Sequence, residues 1–210
     1  MAKQLGFYFD SSVCSGCKAC QLACKDKHNL NIGVIWRRVY EISGGDWIKK
    51  DNLWEPNIFV FNLSIACNHC ENPVCRNVCP TGAIIKRDDG IVLVDRKKCM
   101  GCRYCEWACP YSAPQYDESA GVMSKCHFCY DLIDRGEPPA CVTACPMRAL
   151  DFNQIPKLQK KYQGANNIYP MPDAAMTKPA IVIKPHKDAT RAKGIQAKVT
   201  NIEEVRDARE

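Results

Sequence analysis

The fold is decided by residues 67–114, which read CNHCENPVCRNVCPTGAIIKRDDGIVLVDRKKCMGCRYCEWACPYSAP. This stretch contains two sets of four closely spaced cysteines, and a proline follows the last cysteine of each set. Between the sets, two short β-rich runs in residues 84–95 flank Asp88-Asp89-Gly90, a turn signal that predicts a β-hairpin. Helical turns are predicted around residues 73–79 and 103–109, so the stretch reads as a repeated unit of cysteine loop and helix joined by a hairpin.

The cysteine pattern recurs on both sides of this stretch and accounts for all 16 cysteines of the 210-residue sequence. The four sets are Cys14, Cys17, Cys20 and Cys24; Cys67, Cys70, Cys75 and Cys79; Cys99, Cys102, Cys105 and Cys109; and Cys126, Cys129, Cys141 and Cys145. The first and third sets have the spacing C-x2-C-x2-C-x3-C, which is typical of bacterial ferredoxins. Three thiolates from one loop can bind three iron corners of a cubane. The sequence therefore predicts four 4Fe–4S clusters and a role in electron transfer.

The spacing also predicts which cysteines share a cluster, because in two-cluster ferredoxins the fourth cysteine of a set binds the neighbouring cluster. The second and third sets are expected to pair since a hairpin joins them, and the first and fourth sets then pair by elimination. The predicted ligands are Cys14, Cys17, Cys20 and Cys145 for cluster 1; Cys126, Cys129, Cys141 and Cys24 for cluster 2; Cys67, Cys70, Cys75 and Cys109 for cluster 3; and Cys99, Cys102, Cys105 and Cys79 for cluster 4.

Two other uses of clustered cysteines fit this pattern less well. A disulfide scaffold is expected in a short secreted protein with a signal peptide, and the first residues, MAKQLGFYFDSSVC, contain no apolar signal region. Zinc sites with four thiolates usually use two separated C-x2-C pairs, whereas two sets here place three cysteines within seven residues. A zinc-bound structural or nucleic-acid-binding protein stays as the alternative from another functional class.

The four sets imply an α+β fold in which two pseudo-symmetric ferredoxin-type modules form one compact unit. One module combines residues 1–24 with 115–151, and the other spans residues 67–114. Residues 25–66 are expected to be a β-rich insertion. Residues 152–210 contain five prolines and no cysteine, so we expect an extended C-terminal tail that contacts partner subunits.

The formal net charge of +6 overstates how basic the loaded protein would be. Metal-bound thiols are thiolates, so four oxidised clusters with their ligands add about −8 and bring the total to about −2. The basic residues therefore mostly compensate for cluster charge, which argues against a nucleic-acid partner. The sequence contains no apolar run of the roughly 20 residues that a membrane-spanning helix needs.

Several side chains near the cysteines are candidates for tuning the clusters. His69 and His127 lie between ligand cysteines and could donate a hydrogen bond to sulfur, whereas His28 and His186 are expected at the surface. Cations within or beside the sets mostly balance charge, and Arg103 is the first candidate for raising a cluster potential. These cations are Lys18, Lys25, Arg76, Arg103 and Lys125. No nucleotide-binding motif or catalytic constellation is present.

Nearly the whole sequence, from about residue 5 to about residue 186, resembles the iron–sulfur subunits of DMSO-reductase-family molybdoenzymes, most closely the subunit of DMSO reductase. The stretches that carry the resemblance are GFYFDSSVCSGCKACQLACKD (6–26), RRVYEISGGDW (37–47), LSIACNHCENPVCRNVCPTGA (63–83), GCRYCEWACPYSAPQY (101–116), KCHFCYDLIDRGEPPACVTACPMRALDF (125–152) and TKPAIVIKP (177–185). The last of these would not be shared by a generic ferredoxin.

The resemblance implies a non-catalytic electron-transfer subunit within a heterotrimer. A membrane anchor would oxidise a quinol, and a molybdopterin catalytic subunit would reduce the substrate. Cluster 1 would face the molybdenum subunit and cluster 4 the anchor. Nitrate-reductase-type relatives have Trp at the position of Cys102 and hold a three-iron cluster there, so the cysteine predicts four irons.

The resemblance also implies a location on the bacterial cytoplasmic membrane, reached through the partners. Such subunits can be exported together with a catalytic subunit that carries a twin-arginine signal, and the side of the membrane stays open. A second alternative keeps the clusters but changes the partner to another molybdoenzyme or a hydrogenase, such as a formate dehydrogenase.

Overall fold

The computed structural model describes residues 3–195 and 197–205, which form a mixed fold of short helices and strands. In sequence order the elements are β1 (Leu5–Asp10), α1 (Ala19–Lys27), β2 (Arg38–Gly44), β3 (Trp47–Lys50), β4 (Leu53–Pro56), β5 (Phe59–Ile65), α2 (Val74–Asn77), β6 (Ile84–Lys86), β7 (Val92–Val94), α3 (Tyr104–Ala108), β8 (Gln115–Asp117), β9 (Val122–Ser124), α4 (Tyr130–Ile133), α5 (Ala140–Thr143), β10 (Leu150–Gln154), α6 (Ile155–Lys161), a 3-10 turn (Ala174–Met176), β11 (Ile181–Lys184), α7 (Ala189–Gly194), β12 (Lys198–Val199) and α8 (Ile202–Val205). Helices and strands are thus mixed along the sequence, as predicted.

A three-stranded sheet joins the beginning of the protein to two later segments. Its strand order is β10-β1-β11, with β1 antiparallel to β10 and parallel to β11. Phe7 and Phe9 of β1 are buried, and the ring of Phe7 stacks on Phe128 with centroids 4.1 Å apart. Because Phe128 lies between two cysteines of the fourth set, the sheet packs directly against a cysteine loop.

The segment between the first and second cysteine sets is β-rich, and its two longer strands form a second sheet with a strand from near the C-terminus. The strand order is β12-β2-β5, and β2 pairs antiparallel with β5 over its whole length. Ile42 and Leu63 face the core from these strands. Beyond them, β3 and β4 form a hairpin whose large apolar side chains, Trp47, Leu53 and Trp54 among them, are exposed.

Two pairs of short helices hold the cysteine loops together. Helix α1 packs against α5, and α2 packs against α3. The hairpin predicted between the second and third sets is present as β6 and β7, which pair from Ile84↔Val94 to Lys86↔Val92. The apolar faces of these elements are short, and they enclose cysteines, Cys75 and Cys105 among them, together with Ile84, Val92 and Met123.

The described part of the segment from residue 152 onward, which was expected to be extended, folds back onto the cysteine loops. It contains α6 and α7 as well as strands β11 and β12, and the last five residues of the predicted tail, 206–210, lie outside the described residues. Glu71 N–H of the second set donates to Lys178 O at 2.8 Å, and Ala180 N–H donates to Asn68 O at 3.0 Å. Among the residues that the structure describes, no helix has the length and apolar character to span a membrane.

Candidate metal centres

The first cavity brings together three cysteines of the first set and the last cysteine of the fourth set. It is lined by Cys14, Cys17, Cys20 and Cys145. The packing of α1 against α5 explains the arrangement, because Cys20 lies in the first turn of α1 and Cys145 lies just beyond α5. These are the four residues predicted for cluster 1.

Two further cavities are lined by cysteines of the second and third sets. One is lined by Cys67, Cys70, Cys75 and Cys109, and the other by Cys79, Cys99, Cys102 and Cys105. Each cavity takes three cysteines from one set and one from the other, because helices α2 and α3 pack together and each leads from one cavity towards the other. These are the residues predicted for clusters 3 and 4.

The remaining four cysteines also approach one another. Burial, and then the neighbouring thiols of Cys141 and Cys129, raise the pKa of Cys24 to about 12. The pKa of Cys126 is also raised, first by burial and then by Cys24. Cys24 thus has each of the other three residues predicted for cluster 2 as a neighbour. Within residues 3–195 and 197–205, no three His, Cys, Asp or Glu side chains converge closely enough to bind a single metal ion.

The four cysteine loops share one backbone feature. In each set, the residue before the second cysteine has a positive φ: Gly16 (72°), His69 (43°), Gly101 (72°) and Phe128 (62°). This left-handed conformation turns the backbone between the first two cysteines, so that both thiols face the same side. Glycine adopts it without steric cost, whereas His69 and Phe128 are held there by the packing of their buried side chains.

Burial raises the pKa of most of these thiols. The pKa of Cys70, of Cys75 and of Cys105 rises to about 12, chiefly because burial disfavours the charged thiolate and secondarily because other cysteines are close. Without metal the thiols of Cys70, Cys75 and Cys105 are therefore protonated at neutral pH. Metal binding requires the thiolate, so the sites need positive charge nearby.

Three buried cations lie near the cysteines, and Arg38, one of them, donates to the carbonyl oxygens of Tyr111 and Ser112. Within the part of the chain that the structure describes, the other two have no such pair of carbonyl partners on a loop after the third set. Arg37 is 2% exposed and Lys125 is 3% exposed. No carboxylate of the described residues is within ion-pair distance of either. Burying a charge without a counter-charge is costly. The thiol sets and these cations together fit anionic 4Fe–4S clusters, whose charge would balance the cations.

The positions and contacts of the histidines differ in part from those that the sequence suggested. His28 was expected at the surface, but it is half-buried and its Nε2 lies 3.3 Å from Cys129 Sγ. Burial, and then the nearby His127, lower the pKa of His28 to about 4, so its ring is neutral at neutral pH. His69 is fully buried, and its Nδ1 accepts a hydrogen bond from Val92 N–H at 3.0 Å. A neutral His28 can donate to the Cys129 sulfur, a role that its position outside the cysteine sets did not reveal.

Arg103, the first candidate for tuning, is placed differently from Arg37. Its guanidinium is about half exposed and pairs with Glu106, with Nε 2.7 Å from Oε2. A neighbouring carboxylate and solvent reduce the field that such a cation exerts. Arg37 directly precedes β2 and is far in sequence from most cysteines, and no local motif distinguishes it from Arg38. Its burial follows from the packing of β2 against β5.

Comparison with known proteins agrees with this geometry. Residues 58–155 match the 4Fe-4S dicluster domain family. The sequence is 53% identical to the B subunit of the anaerobic dimethyl sulfoxide reductase of Escherichia coli (strain K12), over 90% of this protein and 92% of that one. It is 52% identical to the corresponding B subunit of Haemophilus influenzae, over 89% of this protein and 92% of that one.

A more distant relative is the B subunit of the polysulfide reductase of Wolinella succinogenes. It is 36% identical over 89% of this protein and 97% of that one. The matches thus extend well beyond the residues around the cysteines. The protein belongs to the family of iron–sulfur electron-transfer subunits that includes the B subunits of anaerobic dimethyl sulfoxide reductases.

Proposed function

We propose that the protein holds four 4Fe–4S clusters and relays electrons from a quinol-oxidising membrane anchor to a molybdopterin catalytic subunit. The observation that carries the proposal is that all 16 cysteines fall into four groups of four neighbours, with none left over. The proposed ligands are Cys14, Cys17, Cys20 and Cys145; Cys126, Cys129, Cys141 and Cys24; Cys67, Cys70, Cys75 and Cys109; and Cys99, Cys102, Cys105 and Cys79.

The groups lie in an order that suits a relay. Cys20 of the first group is a neighbour of Cys141 of the second, and Cys126 of the second is a neighbour of Cys67 of the third. The third and fourth groups are joined by the packed helices α2 and α3. The order is therefore first, second, third, fourth, with each group adjacent to the next.

Exchange of cysteines between groups supports two pseudo-symmetric modules. Helix α1 supplies Cys20 to the first group and Cys24 to the second, and its partner α5 leads from Cys141 of the second to Cys145 of the first. Helices α2 and α3 have the same exchange between the third and fourth groups. Each helix pair thus links two neighbouring sites and fixes the distance between them.

The protein's own contribution is to bind the clusters, separate them from water and leave the two ends accessible. When bound, the clusters would supply reversible one-electron transfer. Cysteines of the middle groups are mostly buried, whereas Cys17 of the first group is exposed. Beside the fourth group, Met100 and Trp107 are exposed by 65% and 70%. A contiguous exposed apolar patch is typical of a subunit contact, and we propose that these two side chains belong to one.

We place the catalytic subunit at the first group and the membrane anchor at the fourth. The family to which the protein belongs, together with the exposure at the two ends, supports this placement. The protein would then associate with a membrane only through the anchor. In the alternative function, the protein transfers electrons in the same way for another molybdoenzyme or a hydrogenase. The matches to reductase B subunits favour a catalytic partner of the DMSO-reductase type.

The relay can be tested on the purified complex under anaerobic conditions. Adding a quinol should bleach the visible absorption of the clusters, and adding an oxidised substrate of the catalytic subunit should restore it. The protein purified without its partners serves as the control, because it should respond to a chemical reductant but not to quinol. The proposal would be contradicted if the visible absorption of the complex changed neither on addition of quinol nor on addition of substrate.

A further inference from the structure

Arg37 occupies an unusual position just before β2. Its side chain is one of the largest fully buried side chains among the described residues. Nη1 donates to Ser64 Oγ at 3.2 Å and to Ser64 O at 3.4 Å, and the guanidinium carbon lies 4.6 Å from the centre of the Phe7 ring. Nε and Nη2 have no hydrogen-bond partner among the described residues.

Unpaired donors on a buried cation call for an explanation, because each such donor loses its hydrogen bonds to water. The residues around Arg37 include cysteines of two different sites. Ser64 Oγ, which accepts from Nη1, lies 3.3 Å from Cys20 Sγ of the first group, and the backbone N–H of Arg37 donates to the sulfur of Cys24 of the second group. Arg37 thus lies between the first and second cysteine groups.

Lys125 occupies the corresponding position between the second and third groups. Its Nζ lies 3.5 Å from Cys67 Sγ of the third group and 3.1 Å from the carbonyl oxygen of Cys126, a member of the second. Its third contact is the carbonyl oxygen of Val92. It also lines the cavity of the third group. Like Arg37, it has no carboxylate partner among the described residues and is almost fully buried.

We propose that Arg37 and Lys125 are tuning residues at the two inner junctions of the relay, and this rests on the proposed function. Arg37 raises the potentials of clusters 1 and 2, and Lys125 raises those of clusters 2 and 3. Reduction makes a cluster more negative, so a cation held close by in a water-poor site favours the reduced form. Cluster 2 is the site that both cations influence, and cluster 4 is influenced by neither.

The proposal can be tested by potentiometric titration of the assembled complex, following the EPR signals of the individual clusters. In Arg37→Gln, the reduction equilibrium of clusters 1 and 2 should shift at least about tenfold towards the oxidised form, which is about 59 mV for one electron. In Lys125→Gln, the same shift is expected for clusters 2 and 3. Arg103→Gln is the matched control, because this exposed cation is already paired with Glu106 and should shift no cluster by that amount.

Charge-conserving variants separate tuning from packing. Arg37→Lys and Lys125→Arg should keep the potentials within about threefold of the wild type, on the same scale. If a neutral variant fails to assemble its clusters, the charge-conserving variant at that position should still hold all four. Loss of clusters in both variants at a position would show a packing role and overturn the proposal there.

Two results would overturn the proposal while leaving the proposed function intact. One is that Arg37→Gln and Lys125→Gln hold four clusters, as the wild-type complex does, and that their cluster potentials equal those of the wild type. The other is a shift of equal size in all four clusters, because a cation at one junction should affect its neighbours most. A wild-type complex that does not contain four clusters would instead contradict the proposed function itself.

Discussion

At the scale of single residues, the chemistry depends on which cysteine faces which cavity. The sequence predicted these groups because a cysteine three residues after another can share a loop, whereas the fourth lies beyond a helical turn. Cys145 illustrates the result, since it lines the same cavity as Cys14 although they are 131 positions apart in the sequence (145 − 14). The position of Arg37 near the thiols could not be predicted from residue spacing, because its burial depends on tertiary packing alone.

Cys102 offers a direct residue-scale prediction. Cys102→Ser should damage only the fourth cluster and leave a three-iron form, because three of the four thiols that line that cavity remain. Quinol-linked activity should fall several-fold more than activity with an artificial donor delivered to the catalytic subunit. The two activities and the EPR spectrum of the complex check this.

Cys17→Ser is the matched control for that variant, since Cys17 occupies the corresponding position of the first set. Because the first cluster is placed next to the catalytic subunit, this change should lower electron delivery from the quinol while altering a different EPR signal. Equal loss of quinol-linked and artificial-donor activity in Cys102→Ser would count against the placement of the fourth cluster at the anchor.

At the scale of elements, the cysteine loops depend on one left-handed residue before the second cysteine. Glycine favours this conformation in the first and third sets, whereas His69 and Phe128 do not favour positive φ. Their conformation is fixed by burial of the side chains against the core, including the contact of Phe128 with Phe7. Local propensity therefore predicts two of these turns, and tertiary packing is needed for the other two.

Gly101→Ala tests the role of this turn in the third set. Gly101 has φ of +72°, and a Cβ there would lie 2.5 Å from the backbone oxygen of Gly121. The left-handed conformation costs about 1 kcal/mol for alanine, and displacement of backbone should bring the loss of unfolding free energy to about 3 kcal/mol. The temperature at which cluster absorption disappears should fall accordingly.

Gly136→Ala provides the comparison, because Gly136 has φ of +79° but nothing lies within 4 Å of its added Cβ. This variant should show only the conformational cost of about 1 kcal/mol. If both variants lower the melting temperature equally, the close approach of Gly101 to Gly121 does not contribute to the stability of the third site.

At the scale of the whole molecule, the C-terminal segment closes the fold around the cysteine groups. Proline content and the lack of periodicity predicted an extended tail, and composition could not show that β11 pairs with β1 or that Thr177 bonds to Tyr111, with hydroxyl oxygens 3.0 Å apart. Because Thr177 also lines the cavity of the third group, a segment without cysteines helps to enclose a candidate metal centre.

Ile183 tests whether this segment stabilises the whole fold. The side chain is fully buried in β11, so Ile183→Ala should lower the free energy of unfolding by about 2–5 kcal/mol. Ile195→Ala is the matched control, because Ile195 is 44% exposed and its replacement should change stability by less than about 1 kcal/mol. Loss of cluster absorption in urea measures both. Similar midpoints for the two variants would mean that β11 contributes little to the core.

The central claim is that four groups of four thiolates each hold one 4Fe–4S cluster. Quantifying iron, acid-labile sulfide and zinc in protein purified without exposure to oxygen tests it most directly. The account predicts about 16 iron and about 16 sulfide per molecule, with a brown colour. A colourless protein with about four zinc ions per molecule and no sulfide would contradict it.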